Sequence, residues 1–205
     1  MTQSVSLTLL ADGPSDRMLL PLIEALMDQH CPFPFVSRFV DWLPKEARTT
    51  ADRIKAAVQF YPCDLLFVHR DAEGVEPIQR EAEIRRSLEG LPGAPSLICV
   101  VPVRMTEAWL LTSEIAIRAA AGNPRGNAPL NLPPIARLES VDAKEVLFQA
   151  LELAKNLGSR RNRRFDPQAY RHRVVELLDD FSQLKQLPSF RHLESQVRAH
   201  FLPRG

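Results

Sequence analysis

The chain has 205 residues, 45% hydrophobic and 25% charged, which is enough to bury a real core as one α/β domain with extensions or as two small domains. This composition excludes a disordered chain, and a net charge of +1 from 26 basic and 25 acidic residues excludes a uniformly basic nucleic-acid binder, though not a basic patch. The balance is uneven: residues 1–150 carry 15 basic and 19 acidic side chains, whereas residues 151–205 carry 11 and 6.

Val5 to Leu10 is a short apolar run of β-formers, closed by Gly13-Pro14. From Ser15 to about Gln29, Met18, Leu19, Leu22, Ile23 and Leu26 recur at helical spacing. Residues 35–40 alternate loosely and read as an edge strand, and Arg48 to Phe60 as a helix with Ile54, Ala57 and Val58 on one face. Asp64 to His69 contains L-L-F-V, the mark of a buried parallel strand. Ile78 to Leu88 reads as a charged amphipathic helix, Ser96 to Val101 as another buried strand, and Thr106 to Ala121 as a helix. Strands thus alternate with helices four times, which predicts an α/β, mostly parallel four-stranded sheet covered on both faces.

Gly122 to Pro134 holds four prolines and two glycines and reads as a loop. Three helices and no strand follow, over 143–157, 168–184 and 189–201, each with an apolar stripe that reads as core. The expected organisation is an α/β domain over 1–121, a Pro/Gly-rich loop over 122–141 and a helical C-terminal extension over 142–205, packed on the same domain. Cys31, Cys63 and Cys99 form no C-x-x-C pair and are too few for a disulfide framework or a zinc site, which points to a reducing compartment. No basic n-region opens the chain, and no uncharged apolar run approaches the roughly 18 residues of a membrane helix. A cytoplasmic protein without a membrane partner is expected.

In an open parallel sheet, ligands bind beyond the carboxyl ends of the strands, near the point where strand order reverses. Asp12 and Asp16 follow the first strand, Asp71 and Glu73 follow the third in H-R-D-A-E-G, and Glu107 follows the fourth; Asp41 follows the edge strand less convincingly. Converging carboxylates repel unless their pKa values rise or a cation neutralises them, and hard oxygen ligands suit Mg²⁺ or Mn²⁺. Asp71 and Glu73, alternating in an extended turn, can share one metal; Asp12 can complete the coordination or serve as an acid/base. Each residue also has a structural reading. Asp12 can cap the following helix, Glu107 can complement a helix dipole, and D-A-E-G can be only a turn.

The A-D-G-P-S-D, H-R-D-A-E-G and T-E-A-W-L-L segments resemble a Toprim-related family of uncharacterised bacterial proteins, with E-G-P-T-E after the first strand, D-x-D or D-x-E after the third and E-A-W-L at the next helix. More distantly the chain is similar to the Toprim domains of topoisomerases, primases and overcoming-lysogenisation-defect nucleases. The spacing agrees over residues 5–113. The resemblance implies a Toprim-like fold with a Mg²⁺- or Mn²⁺-dependent phosphoryl-transfer site. Its first acid falls on Asp12, its paired metal ligands on Asp71 and Glu73, and its later acid on Glu107. The chain departs from the family at Asp12, where the pattern has the longer glutamate.

Residues 160–173 carry Arg160, Arg161, Arg163, Arg164, Arg171 and Arg173, with Phe165 and Tyr170 between them. Arginine clusters contact phosphates and aromatics stack bases, but the same arginines can pair with Asp166, Glu176 or Asp179. Arg17, Arg70, Arg104 and Lys144 are candidate phosphate clamps or partners of nearby carboxylates. His69 and Trp109 read as structural. The leading expectation is a divalent-metal-dependent nuclease acting on DNA or RNA, and the family's setting associates it with phage defence. The alternative is a Toprim-fold nucleic-acid-binding or scaffold protein without turnover. A phosphoacceptor receiver domain ranks below both, because no fifth strand delivers its lysine.

Overall fold

The computed structural model describes residues 4–72, 74–155 and 167–202. They fall into two compact units, one formed by residues up to Val103 together with those from His192 onward, the other running from Arg104 to Arg191.

The first unit is built on four strands, β1 (Val5–Leu10), β2 (Phe35–Phe39), β3 (Leu65–His69) and β4 (Ser96–Val100). All pair in parallel in the order β2-β1-β3-β4, a Rossmann-like α/β sheet. Strand β3 is buried at every residue, whereas edge strand β2 alternates partly buried and exposed positions and is buried only at Phe39. Register is set by Leu9, level with Phe39 on one side and Phe67 on the other.

Right-handed crossovers decide which face each helix covers. The chain leaves β1 toward β2 through α1 (Leu19–His30), then reverses direction to reach β3 through α2 (Thr50–Phe60) and β4 through α3 (Pro77–Leu88). Ile54 and Ala57 of α2 and Ile84 of α3 therefore join Leu10, Leu66, Val68 and Cys99 in one core cluster. The alternate residues Leu7, Leu9, Leu65 and Phe67 point to the opposite face and are fully buried. The last helix, α8 (Pro188–Phe201), runs into this unit from His192. It is tied to α1 by His30 Nε2 and Glu194 Oε1 at 3.1 Å, and Gln196 covers the outer edge of β4. The Gln196 amide donates to the Cys99 carbonyl (2.9 Å) and accepts from the Cys99 N–H (3.1 Å), pairing backbone groups that an edge strand leaves open.

In the second unit the expected helix over 106–121 is two, α4 (Glu107–Leu110) and α5 (Glu114–Ala120). The hydroxyls between them divert the backbone. Thr112 Oγ1 donates to the Trp109 carbonyl (2.8 Å), and Ser113, extended, caps α5 by accepting from the Ala116 N–H (3.1 Å). Both helices pack with α6 (Ala143–Lys155) and α7 (Pro167–Glu176), so the division falls after Val103 rather than at 121. The Pro/Gly-rich segment is anchored: buried Arg118 donates to the Ala128 carbonyl (2.7 Å), Asn123 to that of Ala154 (2.9 Å), and Leu130 is buried. The helix expected over 168–184 stops at Glu176, and Asp180 accepts from the Ser182 N–H and hydroxyl in a local turn. No helix among the described residues is long and apolar enough to cross a membrane.

Candidate functional site

Strand order reverses between β1 and β3, because the chain departs from β1 in one direction and later returns to its other side. Leu10 is level with Val68, so the segments carrying Asp12 and Arg70 leave the sheet side by side. Arg70 Nε lies 3.0 Å from Asp12 Oδ1, and Arg53 Nη1 of α2 approaches the same oxygen at 3.3 Å. Arg53 also donates to the carbonyls of Ala11 (2.6 Å) and Asp12 (3.3 Å). Asp12 therefore does not cap the following turn; Asp16 does, its Oδ2 accepting from the Gly13 N–H at 2.9 Å.

His69, the last residue of β3, sits between Asp16 and Asp71 with only 1% of its side chain exposed. Its Nε2 is 3.3 Å from Asp71 Oδ1, and its Nδ1 is 3.7 Å from Asp16 Oδ2. The histidine read from sequence as merely structural thus links the acid after β1 to the acid after β3. Arg70 also joins the strand end to the helices: its Nη1 reaches the Thr50 hydroxyl and, at 3.3 Å, Glu83 Oε1. Burial pushes the Glu83 carboxyl up, but hydrogen bonds from Thr50 and Arg80 and the charges of Arg80 and Arg70 outweigh it and hold it below the usual range.

The remaining expected residues are distributed as follows. Arg17 pairs with Asp41 and lies over the Phe39 ring, 4.8 Å from its centroid. Glu107, Arg104 and Lys144 belong to the second unit. There Glu107 is buried against Arg171, Arg104 donates to the Ser140 carbonyl (2.9 Å), and Lys144 approaches the Phe148 ring at 6.0 Å. Arg173 pairs with Glu176 at 2.7 Å, the structural alternative for that arginine. Glu73, Arg160, Arg161, Arg163, Arg164 and Phe165 lie outside the described residues.

Among the described residues no three histidine, cysteine or acidic side chains gather closely enough to hold a metal ion. Carboxylates follow both β1 and β3, and Mg²⁺ takes one or two carboxylates and fills its shell with water and substrate phosphate. Asp71 is the described carboxylate best suited, with 28% of its side chain exposed and no ion pair to an arginine among the described residues. Sequence reasoning missed Arg53, because helix α2 was read only for its apolar face; the basic residue one position before Ile54 was the available signal. No family model, no curated protein and no solved structure matches this chain.

Proposed function

We propose that the protein is a Toprim-like, divalent-metal-dependent phosphoryl-transfer enzyme that cleaves DNA or RNA phosphodiesters. The observation that carries this reading is the position of Asp12 and Asp71 on either side of the sheet's reversal point, with His69 and two arginines set among them. Asp71 and Glu73 would hold Mg²⁺ or Mn²⁺, with Asp12 beside them. A bound cation supplies Lewis-acid stabilisation of charge developing on the transferring phosphoryl group. His69 holds Asp71 in place through its Nε2, and Arg53 and Arg70 place positive charge where phosphate oxygens arrive.

Cleavage of labelled single- and double-stranded DNA and RNA with Mg²⁺ or Mn²⁺ tests this, the expected result being turnover that Asp71→Ala abolishes. Absence of turnover on every substrate defeats the enzymatic reading. A second reading, a Toprim-fold nucleic-acid-binding or scaffold protein, draws support from Asp12, whose short side chain already faces two arginines. Retained oligonucleotide binding without turnover is its signature.

A further inference from the structure

Beside Asp12, between the carboxyl ends of β1 and β2, opens a cavity of about 300 Å³. Its lining combines residues 11–14 with Asp41, Trp42, Lys45 and Arg53. That is the lower end of the range for small-molecule pockets, room for one nucleotide and not for a double helix.

Trp42 is 61% exposed, while the only other tryptophan, Trp109, is fully buried. An exposed indole is usually mobile, but this one is built in. The Tyr61 hydroxyl accepts from the Trp42 backbone N–H and donates to the Trp42 backbone carbonyl, both at 3.0 Å, which fixes the backbone that carries the ring. Phe60 meets the indole in a T-shaped contact, ring centroids 5.6 Å apart. A ring fixed in advance gives up little conformational entropy when a second ring stacks on it.

The charges around the cavity decide what kind of ring. Asp12 is matched by Arg53 and Arg70, and Asp41 by Arg17. Lys45 is exposed and makes no ion pair among the described residues, so the uncompensated charge is positive. An apolar protein side chain would satisfy the indole and leave Lys45 unanswered. A nucleotide answers both, its base stacking on Trp42 and its phosphate meeting Lys45. Because Asp12 lines both the cavity and the rim, a strand with a phosphate at the rim continues directly into the cavity.

We propose that this cavity is a nucleotide subsite in which Trp42 stacks an unpaired base, and that the substrate is therefore single-stranded where it crosses the β1–β2 end of the sheet. The inference deepens, and rests on, the nucleic-acid reading of the rim. A base inside a duplex is covered on both faces by its neighbours and cannot reach the indole.

Tryptophan fluorescence titrated with a short oligothymidylate in EDTA tests the subsite without any turnover. Stacking quenches Trp42, so the wild type is expected to lose much of its exposed-indole emission, and Trp42→Phe to show no quenching because Trp109 is buried. By polarisation of a labelled oligothymidylate, Trp42→Ala is expected to weaken binding about tenfold, in line with one lost base–aromatic stack. Lys45→Ala is expected to lower the salt dependence of binding by about one counterion. The matched duplex is expected to bind more weakly and to leave the emission unchanged. Quenching in EDTA without cleavage in Mg²⁺ keeps the subsite and removes the nuclease. Cleavage with no quenching, and unchanged by Trp42→Ala, overturns the subsite and keeps the nuclease. Unaltered oligothymidylate affinity in Trp42→Ala, with its circular dichroism intact, also overturns it, as does equal quenching by the duplex.

Discussion

Replacing Glu107 by alanine is expected to unfold the second unit more readily rather than to remove a reacting group. Glu107 and Arg171 form an ion pair in which each side chain is only 7% exposed. Deleting one member of such a pair strands the other as an uncompensated buried charge, a loss of about 3–5 kcal/mol. No discount for solvent screening applies at that burial, unlike the pair of Arg173 and Glu176, both more than half exposed. For a chain of this size each kcal/mol moves the melting temperature by about 2–4 °C, so Glu107→Ala should melt roughly 6–20 °C lower. Glu107→Gln keeps the volume and an acceptor oxygen and should fall between. Replacing both partners by methionine should recover much of the loss, because the pair repays its desolvation only in part. Calorimetric melting of these three variants checks the order, and adding Glu107→Met and Arg171→Met alone closes the cycle that gives the coupling. A Glu107→Ala protein that melts with the wild type would refute this reasoning, and loss of turnover at unchanged stability would return Glu107 to the catalytic role its sequence position suggests.

Further outcomes are expected at three other residues. Gln196→Ala should cost about 1 kcal/mol and speed amide hydrogen exchange at Cys99, since the side chain pairs both backbone groups there; unchanged exchange would mean water replaces it without loss. Burial pushes the Cys99 thiol up to about 12, with Glu81 adding to that and Arg85 opposing, so in native protein it should resist thiol reagents at neutral pH while half-exposed Cys31 labels. The unfolded thiol ionises near its ordinary value and the folded one does not, so this group leaves stability unchanged below about pH 9 and lowers it from there toward 12; denaturant midpoints in Cys99→Ala that fall just as steeply over that window would contradict this. Trp109→Phe should lose about 1–3 kcal/mol in urea unfolding, because the buried Trp109 Nε1 donates to Ser189 Oγ at 2.8 Å and the ring meets Phe190 at 5.2 Å; a neutral result would show the pocket closing around phenylalanine.

The parallel sheet was legible because each of its strands advertises itself. L-L-F-V at 65–68 has no polar residue to place outward, and it became the fully buried β3. The edge strand was legible for the converse reason, with Ser37 and Arg38 set among Phe35, Val36 and Phe39. With β1, β3 and β4 adjacent, the segments carrying Asp12 and Asp71 leave neighbouring strand ends, where Asp12 meets Arg53 and Arg70 and Asp71 meets His69. The break at Thr112-Ser113 was harder to see. Apolar spacing runs straight through it, and only the local preference of two hydroxyl side chains for backbone partners ends the helix. Pairings distant in sequence left no local trace. Nothing around Glu107 announces Arg171, 64 residues away, and nothing around Asp12 announces Arg53, 41 away. A strand-end carboxylate looks the same in sequence whether it faces substrate, metal or a buried guanidinium.

That ambiguity bears on the near-neutral charge of the chain. An acidic rim left to itself would repel phosphate and would need a cation to accept it. Here Asp12 is already matched by Arg53 and Arg70, Asp41 by Arg17, and Glu83 by Arg70 and Arg80. The protein supplies much of the neutralisation itself, from side chains that the sheet order and helix α2 bring to the strand ends. Asp71, held by His69, has no ion pair to an arginine among the described residues. On the proposed reading, any cation requirement at this site centres on Asp71, with Glu73 two residues on in sequence. On the same reading, the arginines around Asp12 are counter-charges that an incoming phosphate can share, which predicts strand binding in EDTA that is separable from cleavage in Mg²⁺.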